Sequence, residues 1–132
     1  MDNTAADLAA MISVNLAGPI YLTRLAMPAL KKSHGAVVNV ASLAGCVPVP
    51  RSAAYSASKF GLRAFSLALS AELEGTGVRV SCVSPGPVDT DFIMKNLDSV
   101  TDITFSQPIV SPDAVARAIV ACAHDGRPEE AA

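Results

Sequence analysis

Charge of either sign is scarce in these 132 residues. Lysine and arginine number 10, aspartate and glutamate 12, and the net charge at neutral pH is −2. No basic run occurs, so the electrostatic footprint of a nucleic-acid binder is absent. Cysteine is nearly absent too. Cys46, Cys82 and Cys122 are scattered and odd in number, which excludes a disulfide framework and a zinc spacing and suits a reducing cytosol. The two histidines, His34 and His124, stand alone near expected helix ends and read as surface residues, so no metal site is expected. No basic segment precedes an apolar core at the N-terminus, and no signal peptide is expected. Arg24, Lys59 and Arg63 are expected to interrupt the apolar stretches short of membrane-spanning length. Internal repeats and low-complexity segments are also lacking. Together these absences point to a cytoplasmic chain with neither nucleic acid nor membrane as partner.

One further absence concerns nucleotides. The order strand, G-x-G-x-x-G, helix occurs nowhere in the chain, so the usual cradle for a dinucleotide's phosphates is missing. Gly75-Thr76-Gly77 resembles the start of such a loop but precedes a strand, and reads as a helix-to-strand turn.

What is present is apolar. Hydrophobic residues make up 51% and mean hydropathy is +0.39. The length allows one domain, 1–132, and a domain this small buries a modest share of its surface. The composition therefore suggests a partner, or membership of a larger core.

The elements follow from periodicity and end signals. Thr4 and Asp7 suggest a capping box, opening a helix from about Ala5 toward Leu30. Gly18-Pro19 predicts a kink in it. Asn15 sits one turn before that break and by itself reads as a side chain satisfying backbone groups freed there. Lys31 and Lys32 suit the helix C-terminus, and Gly35 suits a left-handed cap. Ala36 to Ala41 reads as a buried parallel strand. A loop over Leu43–Pro50 follows, then a helix from about Ser52 to Glu74. That helix carries a stripe of small residues: Ala53, Ala57, Gly61, Ala64, Ala68 and Ala71. The small stripe permits close approach of a neighbouring helix or sheet. Val78 to Val83 is a second strand, and Ser84-Pro85-Gly86-Pro87 a rigid turn. A short helix is expected near Asp91 to Lys95. Ser111 and Pro112 start the last helix, which runs to about His124. Residues from about 126 to 132 read as a polar tail.

Chemistry concentrates in one stretch. Tyr55 and Lys59 are four apart, which on a helix puts them on one face, a turn apart. A phenol is a weak acid near neutrality, with an unperturbed pKa of about 10. A neighbouring ammonium favours phenolate, as an acid/base catalyst requires. Ser42 lies at the carboxyl end of the first strand, where open α/β sheets bind ligands. Ser56-Ala57-Ser58-Lys59 also fits the S-x-x-K nucleophile motif of penicillin-recognising enzymes, but its companions S-D-N and K-T-G are absent.

Four pieces in order, Val14-Asn15-Leu16-Ala17-Gly18, Asn39-Val40-Ala41-Ser42, Tyr55 to Lys59, and Ser84 to Thr90, resemble the short-chain dehydrogenase/reductase family. The resemblance implies the second, catalytic half of that family's pattern. The implied fold is α/β, a partial Rossmann-like doubly wound arrangement lacking the N-terminal nucleotide-binding half. Two parallel strands would be joined by a right-handed crossover helix, with flanking helices. It further implies an NAD- or NADP-dependent interconversion of a small-molecule alcohol and carbonyl. Tyr55 would move the proton, Lys59 would support Tyr55 and hold the nicotinamide ribose, and Ser42 would bond the substrate oxygen. Asn15 would hold a water linking the lysine to solvent. Pro85, Gly86, Val88 and Thr90 would surround the nicotinamide end of the cofactor. The loop with Val47, Pro48 and Val49 would line the substrate site, and residues 91–110 would hold a substrate lid. A homo-oligomer seam would be built from the helices at about 5–30 and 52–74. The alternative is a non-catalytic fragment, or a dimerising partner of a full-length member of that family.

Overall fold

Two valine-bearing runs form the first two strands of the sheet. The computed structural model describes residues 3–89 and 108–132. In it β1 (Ala36–Val40) and β2 (Arg79–Ser84) pair in parallel, from Ala36 opposite Arg79 to Val40 opposite Val83. The two-residue period puts Val37, Asn39, Val80 and Cys82 on one face and Val38, Ser81 and Val83 on the other. β2 is buried from Val80 to Ser84, as a strand with neighbours on both edges and layers on both faces should be.

The second neighbour of β2 corrects the expected two-strand sheet and polar tail. β3 (Glu129–Ala131) pairs in parallel with the other edge of β2, with Cys82 opposite Glu129 and Ser84 opposite Ala131. The acidic residues that suggested a solvated tail are paired instead. Arg63 holds Glu129 through two hydrogen bonds, one of them Nη2 to Oε2 at 2.8 Å. Arg127 bridges Asp125 and Glu130. Charge at an edge strand also discourages pairing with other chains.

Among the described residues four α-helices flank the sheet. α1 (Ala5–Ile12) starts on the expected capping box, with Thr4 and Asp7 exchanging hydrogen bonds. The expected kink at Gly18-Pro19 is instead a single π turn, Ser13–Ala17, and the helix continues as α2 (Gly18–Ser33). Pro19 follows directly on that π turn, where the shifted hydrogen-bond pattern accommodates its missing N–H. Gly18 lets its own N–H reach the Ser13 carbonyl, which a Cβ there would meet at 3.2 Å. At the far end His34, not Gly35, adopts the left-handed cap with φ 49°. Gly35 matters for space, because a Cβ there would lie 3.0 Å from both Leu30 and Ser33. From Ala5 to Ser33 the helix is 29 residues long, and by length and composition alone it could cross a membrane. Arg24 does not interrupt it enough to prevent this, contrary to expectation.

α3 (Ala53–Glu72) is the crossover between β1 and β2, and α4 (Pro112–Asp125) joins β3 after a Ser111 cap. Leu73, Val78 and Val80 form one core with Met27, Leu30, Val37 and Leu69. Val83, Val115 and Cys122 form the second, with Val38, Ala118 and Ile119. Helices thus lie on both faces, α2 and α3 on one and α4 on the other, in the doubly wound manner. Gly75 and Gly77, with φ 79° and 82°, make the expected turn into β2.

The Arg63–Glu129 pair has a readable pH signature. Hydrogen bonding to Arg63 holds the Glu129 carboxyl below its usual range. Its stabilisation is therefore complete above the unfolded value of about 4.3 and is lost as pH falls through the folded value. The pair is about one-third exposed, so roughly 1 kcal/mol is expected. Urea titrations at pH 6 and pH 3 check this: Glu129→Gln should be less stable than the parent at pH 6, and the gap should shrink at pH 3.

Candidate active site

Three segments meet at the carboxyl end of β1. Ser42 follows that strand directly. Its hydroxyl accepts the N–H of Ala44 at 3.1 Å, capping a 3₁₀ turn at Leu43–Gly45. Gly45 is the point of closest approach to α3. A Cβ there would sit 2.7 Å from the Lys59 carbonyl oxygen and 2.8 Å from its carbon. Only glycine lets the Ser42 turn rest against the helix backbone at this distance.

α3 presents Tyr55 and Lys59 a turn apart. The Lys59 ammonium lies 5.8 Å from the centroid of the Tyr55 ring, within cation–π reach, and donates to the Val40 carbonyl at 3.0 Å. Burial pushes the Lys59 amine down from the ordinary lysine range, against an opposing influence of Cys82. Burial also pushes the Cys82 thiol up. It therefore stays neutral near pH 7, and the desolvation effect on Lys59 prevails. Among the described residues nothing hydrogen-bonds the Tyr55 hydroxyl, which leaves it free for a ligand.

Asn15 lies in the π turn and reaches across to α3. Its Nδ2 donates to Ser58 Oγ at 3.3 Å, and Ser58 in turn donates to the Tyr55 carbonyl at 2.7 Å. The side chain bonds the neighbouring helix, not the backbone of its own break. Gly61 makes room for this contact, since a Cβ there would lie 2.9 Å from the Leu16 side chain. Ser42, Tyr55 and Lys59 are therefore brought to the carboxyl end of β1, and Asn15 is tied to the same helix through Ser58. Ser56 is buried and its hydroxyl accepts the Val49 N–H at 3.2 Å, an occupied position that speaks against a nucleophile.

The turn after β2 joins the same neighbourhood. The Pro85 carbonyl accepts the Leu43 N–H at 2.9 Å, and the Gly86 N–H donates to Ala132 at 2.7 Å. Val88 forms an isolated parallel bridge with Val110. Thr90 lies outside the described residues, as do the helix expected at Asp91 to Lys95 and the lid region as far as residue 107. No cluster of metal-ligand side chains occurs among the described residues.

Comparison with known proteins decides the family. The description "short chain dehydrogenase" matches residues 1–100. The chain belongs to the short chain dehydrogenase family. Uncharacterized oxidoreductase YbbO of Escherichia coli is 35% identical over 113 residues, covering 85% of this chain and 40% of YbbO. NADP-dependent 3-hydroxy acid dehydrogenase YdfG of the same organism is 34% identical over 119 residues, 86% of this chain and 48% of YdfG. The chain thus spans less than half the length of these curated relatives. Among solved structures, ElxO with NADP bound shares the fold with a TM-score of 0.84 at 23% identity, over 98% of this chain and 58% of ElxO. 4-Hydroxyisoleucine dehydrogenase complexed with NADH gives 0.79 at 26% identity, over 98% and 59%. The Rossmann-like α/β fold of this dehydrogenase-family chain is therefore shared with nicotinamide-bound members.

Gly45, Gly61 and Ser56 were not singled out as site-building residues from the sequence. Gly45 had a signal, a glycine three residues after the strand-end serine, but only coordinates reveal the backbone it meets. Gly45→Ala is expected to cost about 1–3 kcal/mol by overpacking, because the obstacle is backbone. A thermal melt by circular dichroism checks it, with Gly75→Ala as a comparison whose Cβ meets nothing but sits at φ 79°.

Proposed function

We propose that this chain carries the catalytic part of an NAD- or NADP-dependent oxidoreductase that interconverts a small-molecule alcohol and a carbonyl. The observation that carries the reading is the seating of the Ser42 turn, through Gly45, on the backbone of the helix holding Tyr55 and Lys59. Tyr55 delivers a proton to the substrate oxygen in reduction and removes it in oxidation. The Lys59 ammonium attracts negative charge developing on the phenol oxygen. Ser42 donates its hydroxyl hydrogen to the substrate oxygen. Asn15 reaches α3 beside Lys59 and, in this reading, holds the water that links the lysine to solvent.

The residues present fit the nicotinamide end of the cofactor. Lys59 offers a half-buried cation to the ribose, and in this reading Pro85, Gly86 and Val88 face the nicotinamide side. When bound, the nicotinamide exchanges a hydride with the substrate carbon. The phosphates have no comparable cradle here, because the sequence holds no glycine-rich turn between a strand and a helix. We therefore expect the 132 residues alone to be inactive. Isothermal titration with NADH and NADPH should give no binding heat. In an enzyme that joins this chain to a glycine-rich phosphate loop, Tyr55→Phe should abolish turnover and spare cofactor binding. Turnover within a few-fold of the parent would refute the role of Tyr55.

A second reading, a chain that only dimerises, is favoured by exposed surface. Ala53, Ala57, Ala64, Ala68 and Ala71 on α3 are exposed. On the preceding helix Val14, Tyr21, Leu22 and Leu25 are each at least 66% exposed. Both readings expect a homo-oligomer through these helices, in a cytoplasmic chain. Ala64→Glu should lower the mass seen by size-exclusion chromatography with light scattering. A monomer in the unmutated protein would rule out the seam.

A further inference from the structure

Asn39, Cys82 and Glu129 lie side by side in one row across β1, β2 and β3, since Asn39 pairs with Cys82 and Cys82 with Glu129. Neighbours in such a row point to the same face of a sheet, and here that face carries α3. Both ends of the row are tied to the helix. At the β1 end Asn39 Nδ2 donates to Ser66 Oγ at 2.9 Å, and Ser66 donates to the Leu62 carbonyl at 2.7 Å. At the β3 end Arg63 holds Glu129 through two hydrogen bonds, a fork that fixes direction as well as distance. Between the two ties lies Cys82, fully buried.

At 3.6 residues per turn, Arg63 and Ser66 project about 60° apart around the helix axis, with Lys59 between them. The two ties therefore pull on opposite sides of the direction in which Lys59 points. The Gly45 contact sets how close the helix backbone lies, but one point of contact does not stop the helix from rolling about its own axis. A roll would carry the Lys59 ammonium off the Val40 carbonyl, 3.0 Å away, and would turn Tyr55 with it. On the β1 side the tie is buried. On the β3 side it is the Arg63–Glu129 pair alone that opposes the roll. Resting on the reductase reading above for what Tyr55 and Lys59 do, we infer that Arg63 and Glu129 are positioning residues of the site. They act through the roll of α3 and do not themselves touch substrate. The last strand thereby sets the aim of the proton-transferring pair from two strands away.

The test uses the whole chain and reads the Lys59 ammonium by proton–nitrogen NMR at low temperature and mildly acidic pH. In the parent the ammonium, held on Val40, should give a signal of its own. In Arg63→Gln and in Glu129→Gln its hydrogens should exchange with water about tenfold faster. The double variant should be no worse than either single one, because the two side chains form one tie. The methyl signals of Val83, buried on the opposite face of the sheet, should stay as in the parent and report that each variant is folded. Should Glu129→Gln lose them, Glu129→Asp, one methylene shorter, replaces it. Unchanged Lys59 exchange in both single variants makes the pair a structural bond only and overturns the positioning role. Losses that add up in the double variant overturn the single tie. Absence of a Lys59 signal in the parent overturns the hold on Val40 and the inference with it. None of these measurements involves turnover, so each such failure leaves the reductase reading standing, and the failure of that reading shows separately in the turnover of Tyr55→Phe.

Discussion

The contact on which the site depends is one of backbone against backbone: Gly45 lying on the Lys59 peptide. It sets how near the end of β1 comes to α3, and hence how near Ser42 comes to Tyr55. Hydrogen bonds then fix direction where the glycine fixes distance. Leu43 bonds Pro85, and Gly86 bonds Ala132, so the turns after β1 and β2 and the end of β3 are linked in series. A displacement at any one of them would be passed to the others, because each bond occupies a backbone group that has no second covalent freedom.

The helix pair is joined by a similar device. The π turn at Ser13–Ala17 brings Asn15 to Ser58 and Leu16 to Gly61. A straight α-helix would advance each side chain by the ordinary angle, whereas one extra residue in a turn shifts where the face points. Such single-turn bulges often occur at functional sites. Here the bulge places the polar residue of α1–α2 against the serine between Tyr55 and Lys59, and the rest of that surface is left apolar and open.

Much of this was legible in the sequence, for identifiable reasons. Thr4 and Asp7, Ser111 and Pro112, and the glycines at 75 and 77 are local signals, and local chemistry decides caps and turns. The valine runs announced β1 and β2 because burial on both faces demands them. The spacing of Tyr55 and Lys59 and the motifs around them led to the family. What stayed hidden was non-local. Glu129 looked like a solvated tail because Arg63 is 66 positions away in sequence. Gly18-Pro19 looked like a break because the adjustment that rescues it lies in the turn before. The apolar helix was judged too interrupted because Arg24 counted as a stop, though one cation in a long run need not be.

Lys59 shows what these attachments do to a functional group. An ammonium carries three hydrogens, and one is directed at the Val40 carbonyl. With the stem in place, directing that one fixes the other two about the Cε–Nζ bond. The lysine is therefore a directional donor as well as a source of charge, and the direction is set by where β1 ends. Any group that accepts one of the other two hydrogens has to lie off the Lys59–Val40 axis.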